Sequence, residues 1–438
     1  MSCKNIAPAD VHKSLDANML VDGYPFVLDL KESHGSWLVD AATGKKYLDF
    51  FTFFASSALG YNHPALTSDE FLAKLGKAAV NKVSNSDIYT TEMAEFVHRF
   101  VEIAIPDYLP NLFFISGGAL AVENAMKAAF DWKIRKNLEK GITGEKGQQV
   151  IHFREAFHGR TGYTMSVTNT DPTKTDYFPK FDWPRIDNPK VTFPIADHLA
   201  EIEAAEKKAI DQIEKAIADN PNDIAAILIE PVQGEGGDNH FRKEFFQALR
   251  KISDDNEIIL IYDEVQTGLG MTGKWWAHQN YGVNPDIMCF GKKTQVCGIA
   301  ASERLNEIDS VFKVSSRINS TWGGNLIDMV RVTRILEVIR DENLVENAAK
   351  MGAYFQEKLQ ELGTKYPGSV SNVRGLGLFC AFDFSDGPSR DTFVNGCMDN
   401  GFIALKCGTK TVRFRPALNV TDEEIDKGIE IIDGILKG

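Results

Sequence analysis

Three apolar runs mark the middle of the chain: Ala225–Pro231 (AAILIEP), Ile258–Val265 (IILIYDEV) and Asp286–Lys292 (DIMCFGK). Each is of strand length, and stretches of helical period lie between such runs. That alternation predicts an α/β core built on a largely parallel sheet. Each run also ends in a residue able to do chemistry: Glu230, Asp263 and Lys292. In open α/β sheets ligands bind beyond the carboxyl ends of the strands, so these ends are expected to converge on one site.

Further along the same pattern, Asn111–Ser116 (NLFFIS) predicts a strand that turns through Gly117-Gly118-Ala119 into a helix over Ala121–Lys136. Upstream, Gly35–Asp49 predicts a two-strand meander with a Thr-Gly turn. Past residue 325 the pattern changes. Helical stretches over Leu326–Asp341 and Asn347–Leu362 give way to short strands in Ser369–Phe384 and Phe402–Phe414, as expected of a smaller α+β lobe. Phe50, Phe51, Phe53 and Phe54 predict an aromatic cluster in the core or at a dimer interface.

Composition adds limits. At 438 residues the chain is about three times a common domain length, enough for a large core and a multi-lobed enzyme. Hydrophobic residues at 43% and charged residues at 25% argue against a disordered chain or a coiled coil. A net charge of −13, without any basic run, repels nucleic acid and anionic membranes, so neither is expected as a partner. The opening MSCKNIAPADVHKSLDANML lacks the features of a signal peptide, and no apolar run approaches a membrane span, so a cytoplasmic location is expected. The cysteines (Cys3, Cys289, Cys297, Cys380, Cys397, Cys407) are scattered without a Cys-x-x-Cys pair, which predicts reduced packing thiols and no metal site.

The candidate chemistry lies at the predicted strand ends. Small residues at Gly117-Gly118-Ala119 allow close backbone approach, and the helix that follows offers free N–H groups to an anion. Asp263 closes an apolar strand and needs a partner, either a cation of the protein or the nitrogen of a pyridine ring. Lys292 closes the next strand, where a desolvated lysine becomes a nucleophile for carbonyls. Lys293 is its chemical equal, but successive strand side chains point to opposite sides, so only one of the two faces the site.

In combination these residues resemble the class III aminotransferases. The resemblance rests on Leu59–Pro64 (LGYNHP), Phe157–Arg160 (FHGR), Ile229–Glu235 (IEPVQGE), Asp263–Gly268 (DEVQTG), Gly291-Lys292 and Val412–Pro416 (VRFRP), and it spans nearly the whole chain. Within the family, Ser116–Ala125 (SGGALAVENA), Phe178–Arg185 (FPKFDWPR), Gly291–Gly298 (GKKTQVCG) and Asn319–Asn325 (NSTWGGN) resemble the lysine 6-aminotransferases. The chain departs from the family's usual pattern after Lys292, where a glycine-rich run is replaced, and at Ala119, where the phosphate turn lacks a hydroxyl.

The resemblance implies fold type I: a large domain with a mostly parallel seven-stranded sheet, a small α+β domain from both chain ends, and a homodimer with shared sites. The corresponding boundaries are 1–60, 61–325 and 326–438. It implies pyridoxal 5′-phosphate on Lys292, which also shuttles the proton. Asp263 is expected on the ring nitrogen, Gln266 on the ring oxygen, and Val265 and Phe157 on the two ring faces. Gly118 and Ala119 would hold the phosphate, with Thr321 reaching it from the other subunit; His158 and Glu230 complete the cofactor shell, Glu230 as a brace. Because 2-oxoglutarate carries two carboxylates, two arginines are expected, and position implies Arg160 and Arg413. Glu235 would neutralise Arg413 while L-lysine reacts at its ε end, and Asn319 joins these as a substrate contact. Arg415 is expected on the opposite side of its strand from Arg413, in a surface ion pair. The alternatives are another ω-amino donor (ornithine, acetylornithine or 4-aminobutyrate) or, from a different class, a cofactor-binding sensor without turnover.

Overall fold

The computed structural model describes residues 6–438; Cys3 lies outside them. Among the described residues, fourteen strands form three sheets. In chain order they are β1 (Trp37–Val39), β2 (Lys46–Asp49), β3 (Asn111–Ile115), β4 (Gln149–Phe153), β5 (Arg185–Ile186), β6 (Ile224–Ile229) and β7 (Ile259–Asp263). Then follow β8 (Ile287–Phe290), β9 (Cys297–Ala301), β10 (Ser371–Leu376), β11 (Phe379–Asp383), β12 (Phe402–Ile403), β13 (Leu405–Cys407) and β14 (Thr411–Phe414).

The central sheet has seven strands in the order β3-β9-β8-β7-β6-β4-β5, and β9 alone runs against the rest. This is the mostly parallel seven-stranded sheet of the expected fold. Every residue of β6, β7 and β8 is buried, because helices cover both faces and leave no side for polar alternation. Along β7 the pleat deals side chains to two cores in turn. Ile259 and Ile261 pack with Ala125, Met126 and Ala129 of the helix Gly118–Glu139. Leu260 and Tyr262 pack with Phe245, Phe246 and Leu249 of the helix Lys243–Asp255.

The meander β1-β2 forms as its Thr-Gly turn predicts, with Gly44 at φ 74°. Its second strand pairs in parallel with β12, near the other end of the chain. The run Ser369–Phe384 is broken into β10 and β11 at Gly377, whose φ of 55° and close approach to the Thr272 backbone exclude a side chain. With β14 and β13 these strands make a four-stranded antiparallel sheet. The helices Leu326–Asp341 and Leu344–Lys365 occupy the places their periodicity predicts.

Of the four phenylalanines, Phe50 is core, packed edge-on to Phe355 and Phe402. Phe53 and Phe54 are exposed on a turn, Thr52 to Ala55, whose residues all have left-handed φ. The cysteines from Cys289 onward are free and buried, and burial pushes the thiols of Cys380 and Cys397 upward. Among the described residues no helix is long and apolar enough to cross a membrane.

Candidate active site

The carboxyl ends of the parallel strands meet at a cavity of about 300 Å³. Its walls carry Gly118 and Ala119 after β3, Phe157, His158 and Arg160 after β4, and Glu230 and Glu235 after β6. Asp263, Val265 and Gln266 come from the end of β7, and Lys292 from beyond β8. Asn319 and Thr321 are not there: both are exposed, on a loop whose Thr321 carbonyl accepts from Ser84 Oγ at 2.6 Å.

Lys292 does not close β8. That strand stops at Phe290, and Gly291 leads into a short 3-10 turn in which Lys292 has a φ of 54°. The turn, rather than strand alternation, parts the two lysines. Lys292 faces the cavity, while Lys293 is buried and donates to the carbonyls of Ala55 at 3.1 Å and Gln266 at 2.7 Å. Burial first, and then the Arg413 charge, push the Lys292 ammonium down to about 8, against the opposing pull of Asp263, Glu230 and Glu235.

Asp263 is 5% exposed, and each of its carboxylate oxygens has one protein partner and room for another. Its Oδ2 lies 2.8 Å from His158 Nδ1, and its Oδ1 accepts from the Val265 N–H at 3.0 Å. Glu230 accepts from the backbone N–H groups of Phe157 and Gly234 at 3.0 Å each and so ties the two loops together. Burial, with the Asp263 charge adding to it, pushes the Glu230 carboxyl up to about 7.

Glu235 Oε2 accepts from Arg413 Nη2 at 2.6 Å, and its Oε1 accepts from Lys174 Nζ at 2.6 Å. Burial pushes this carboxyl up, but the Arg413 and Lys174 charges outweigh it and hold Glu235 below the usual carboxylate range. Arg160, by contrast, is exposed at the rim and has no ion-pair partner among the described residues.

Arg415 departs from expectation. It is fully buried, paired with Asp238 at 2.6 Å, and its guanidinium lies 3.3 Å over the Phe379 ring. Residues two apart along an extended chain share a face, and both arginines turn toward Gln266. Gln266 Oε1 accepts from Arg415 Nη2 at 3.1 Å and from Arg413 Nη1 at 3.4 Å. Its Nε2 has no protein partner among the described residues and is left as a donor for a ligand oxygen.

The cavity fits pyridoxal 5′-phosphate part by part. Gly117, at φ 112°, opens the helix Gly118–Glu139, so the first N–H groups of that helix are free for a phosphate. A Cβ at Gly118 would lie 2.9 Å from Val265 Cγ1, so only glycine lets that backbone sit against the wall. Asp263 brings a buried carboxylate to the same cavity, chemistry that suits a protonated ring nitrogen, and Lys292 has the lowered basicity that capture of an aldehyde requires.

Sequence reasoning missed Lys174 and the Arg415–Asp238 pair. Neither has a local signal: Lys174 sits in the 3-10 turn Pro172–Lys174 and reaches Glu235 only through the fold.

The family model for aminotransferase class-III matches residues 19–436. The L-lysine-epsilon aminotransferase of Mycobacterium tuberculosis is 54% identical over 431 residues, covering 98% of this chain and 96% of that protein. The enzyme of the same name from Streptomyces clavuligerus is 48% identical, covering 98% and 94%. A solved structure of lysine aminotransferase from M. tuberculosis superposes with a TM-score of 0.97 at 52% identity, covering 99% of each chain. The chain thus belongs to the class III aminotransferases, enzymes that work with pyridoxal 5′-phosphate.

Proposed function

We propose that this protein is an L-lysine 6-aminotransferase. It moves the ε-amino group of L-lysine to 2-oxoglutarate, giving 2-aminoadipate 6-semialdehyde and L-glutamate, and it works as a homodimer. The carrying observation is the contrast between the two arginines: Arg413 is closed off by Glu235 at 2.6 Å, while Arg160 stands open at the rim. A donor that reacts at an amine far from its carboxylate places that carboxylate on Arg160 and a methylene chain beside the neutralised Glu235–Arg413 pair. 2-Oxoglutarate needs both guanidinium groups, so Glu235 must then leave Arg413. The identity with enzymes named for lysine supports this donor over shorter ones.

Bound in the cavity, pyridoxal 5′-phosphate supplies an aldehyde to take up the amino group and a ring to draw electron density from the substrate carbon. Lys292 holds that aldehyde between turnovers and moves the proton at the reacting carbon. Asp263 holds a proton on the ring nitrogen, and His158 orients Asp263. Gly118 and Ala119 would offer N–H groups to the phosphate, Gln266 Nε2 would donate to the ring oxygen, and Phe157 and Val265 would pack on the ring faces. Thr321 and Asn319 lie on an exposed loop outside the cavity of their own chain, and in this reading they serve the partner's site.

A donor scan tests the reading. L-Lysine is expected to bleach the cofactor absorbance and to yield a product that cyclises to a six-membered imine, trapped with o-aminobenzaldehyde. A response confined to L-ornithine, N-acetylornithine or 4-aminobutyrate would replace lysine as donor and leave the aminotransferase in place.

Replacing Glu235 by Ala uncovers Arg413 permanently. An unpaired buried guanidinium beside a methylene chain is unfavourable by several kcal/mol, so the lysine half-reaction is expected to slow about 100-fold, and the glutamate half-reaction far less. Stopped-flow measurement of the two half-reactions reads the ratio; equal losses would remove Glu235 from substrate discrimination.

A further inference from the structure

Glu235 has two cationic partners, and only Arg413 is accounted for by the substrate. Lys174 Nζ holds the other carboxylate oxygen at 2.6 Å. The lysine is not a loose surface cation. It closes the turn Pro172–Lys174, whose start is fixed by Asp171 accepting from the Thr173 N–H at 3.0 Å, and its ammonium lies 5.4 Å from the centre of the Phe157 ring.

The three side chains differ in freedom. Arg413 is 2% exposed, against 28% for Glu235 and 24% for Lys174. Arg413 Nε is buried without a protein partner among the described residues, and Nη1 has only a long bond to Gln266, so the guanidinium has unused donors facing inward. When a dicarboxylate claims Arg413, the arginine stays and the glutamate moves. A carboxylate leaving its only cation within a half-buried cleft would be stranded. Here the bond from Lys174 Nζ to Oε1 can persist while Oε2 gives up Arg413.

We propose that Lys174 is a positioning residue that sets the balance between the two states of Glu235, and so determines how readily the site admits dicarboxylates. With Lys174 present, the charge of Glu235 is shared, and Arg413 can be released to 2-oxoglutarate or L-glutamate. Without it, Glu235 commits wholly to Arg413 and competes with the second carboxylate of the substrate. The proposal rests on the reading above only in requiring that Glu235 leave Arg413 for a dicarboxylate.

The test compares the two half-reactions in holoenzyme carrying Lys174→Met, which keeps the aliphatic stem and loses the charge. KM for L-glutamate and for 2-oxoglutarate is expected to rise about tenfold, with kcat and the L-lysine half-reaction changed less than about twofold. Lys174→Arg should restore most of the affinity. In a Glu235→Gln background, Lys174→Met should add nothing, since no carboxylate remains to be positioned. Unchanged glutamate kinetics, equal losses in both half-reactions, or a glutamate defect that persists beside Glu235→Gln would each overturn the proposal. The glutamate arm does not depend on lysine being the donor, so failure of the lysine reading and failure of this one are separately visible.

Discussion

Replacing Lys292 by Ala is expected to lower turnover about 10⁴-fold for every donor, near the upper end of what one positioned acid–base group supplies. Lys292 is the only cavity-lining lysine among the described residues, and its neighbour Lys293 is tied to the Ala55 and Gln266 carbonyls, so nothing stands ready to replace it. The fold should survive, because Lys292 makes no side-chain hydrogen bond to the described residues. A small exogenous amine, entering the space vacated by the side chain, should recover part of the proton transfer. Single-turnover kinetics with L-lysine and L-glutamate check the loss; retention of more than a hundredth of the wild-type rate would place the acid–base role elsewhere.

The same residue carries a pH dependence. With its ammonium pushed down to about 8 from an ordinary 10.5, its neutral fraction at pH 7 is about 300-fold above that of a free lysine. The neutral amine is the nucleophile, so capture of pyridoxal 5′-phosphate by cofactor-free protein should quicken as pH rises toward about 8 and then level off.

The central sheet was legible because its strands are continuous apolar runs bounded by Gly, Pro and charged residues. Parallel strands buried on both faces leave little else to read. The pairing of β2 with β12 had no local signal, since it joins segments from opposite ends of the chain. The two-residue β5 is too short for any period, and β9 reads Cys-Gly-Ile-Ala-Ala, too small and too mixed to announce a strand.

The site divides in the same way. Glu230, Asp263 and Lys292 could be singled out because each follows an apolar run, where a charge without a purpose is costly. Lys292 was nonetheless placed one turn too early in kind: a strand end was expected, and a left-handed residue in a 3-10 turn is found. Arg415 was misread because residues two apart along a strand share a face, so alternation sets it beside Arg413 rather than opposite. Lys174 was invisible because its partner lies far along the chain, and a lysine in a polar turn looks like any solvated cation until the fold supplies the carboxylate.

The second large effect is expected at Asp263. Asp263→Asn keeps the shape of the side chain and removes its charge, and should cost about 10³-fold in kcat, the scale of losing a preorganised electrostatic partner. Asparagine can still accept from the Val265 N–H, so the 3.0 Å bond at Oδ1 is kept. The other oxygen becomes an NH₂ facing His158 Nδ1, which must then act as acceptor and carry its proton on Nε2. That nitrogen is buried with no protein partner among the described residues, so the swap should also cost about 1–3 kcal/mol of stability. Thermal melting separates this structural share from the catalytic one. A third consequence has a definite sign. The Asp263 charge raises the Lys292 pKa, so its removal should move the rise in cofactor capture to lower pH. A variant that keeps more than a tenth of kcat would show that the charge at Asp263 is not what activates the ring. A capture profile unmoved or shifted upward would show that Asp263 and Lys292 do not share one electrostatic site.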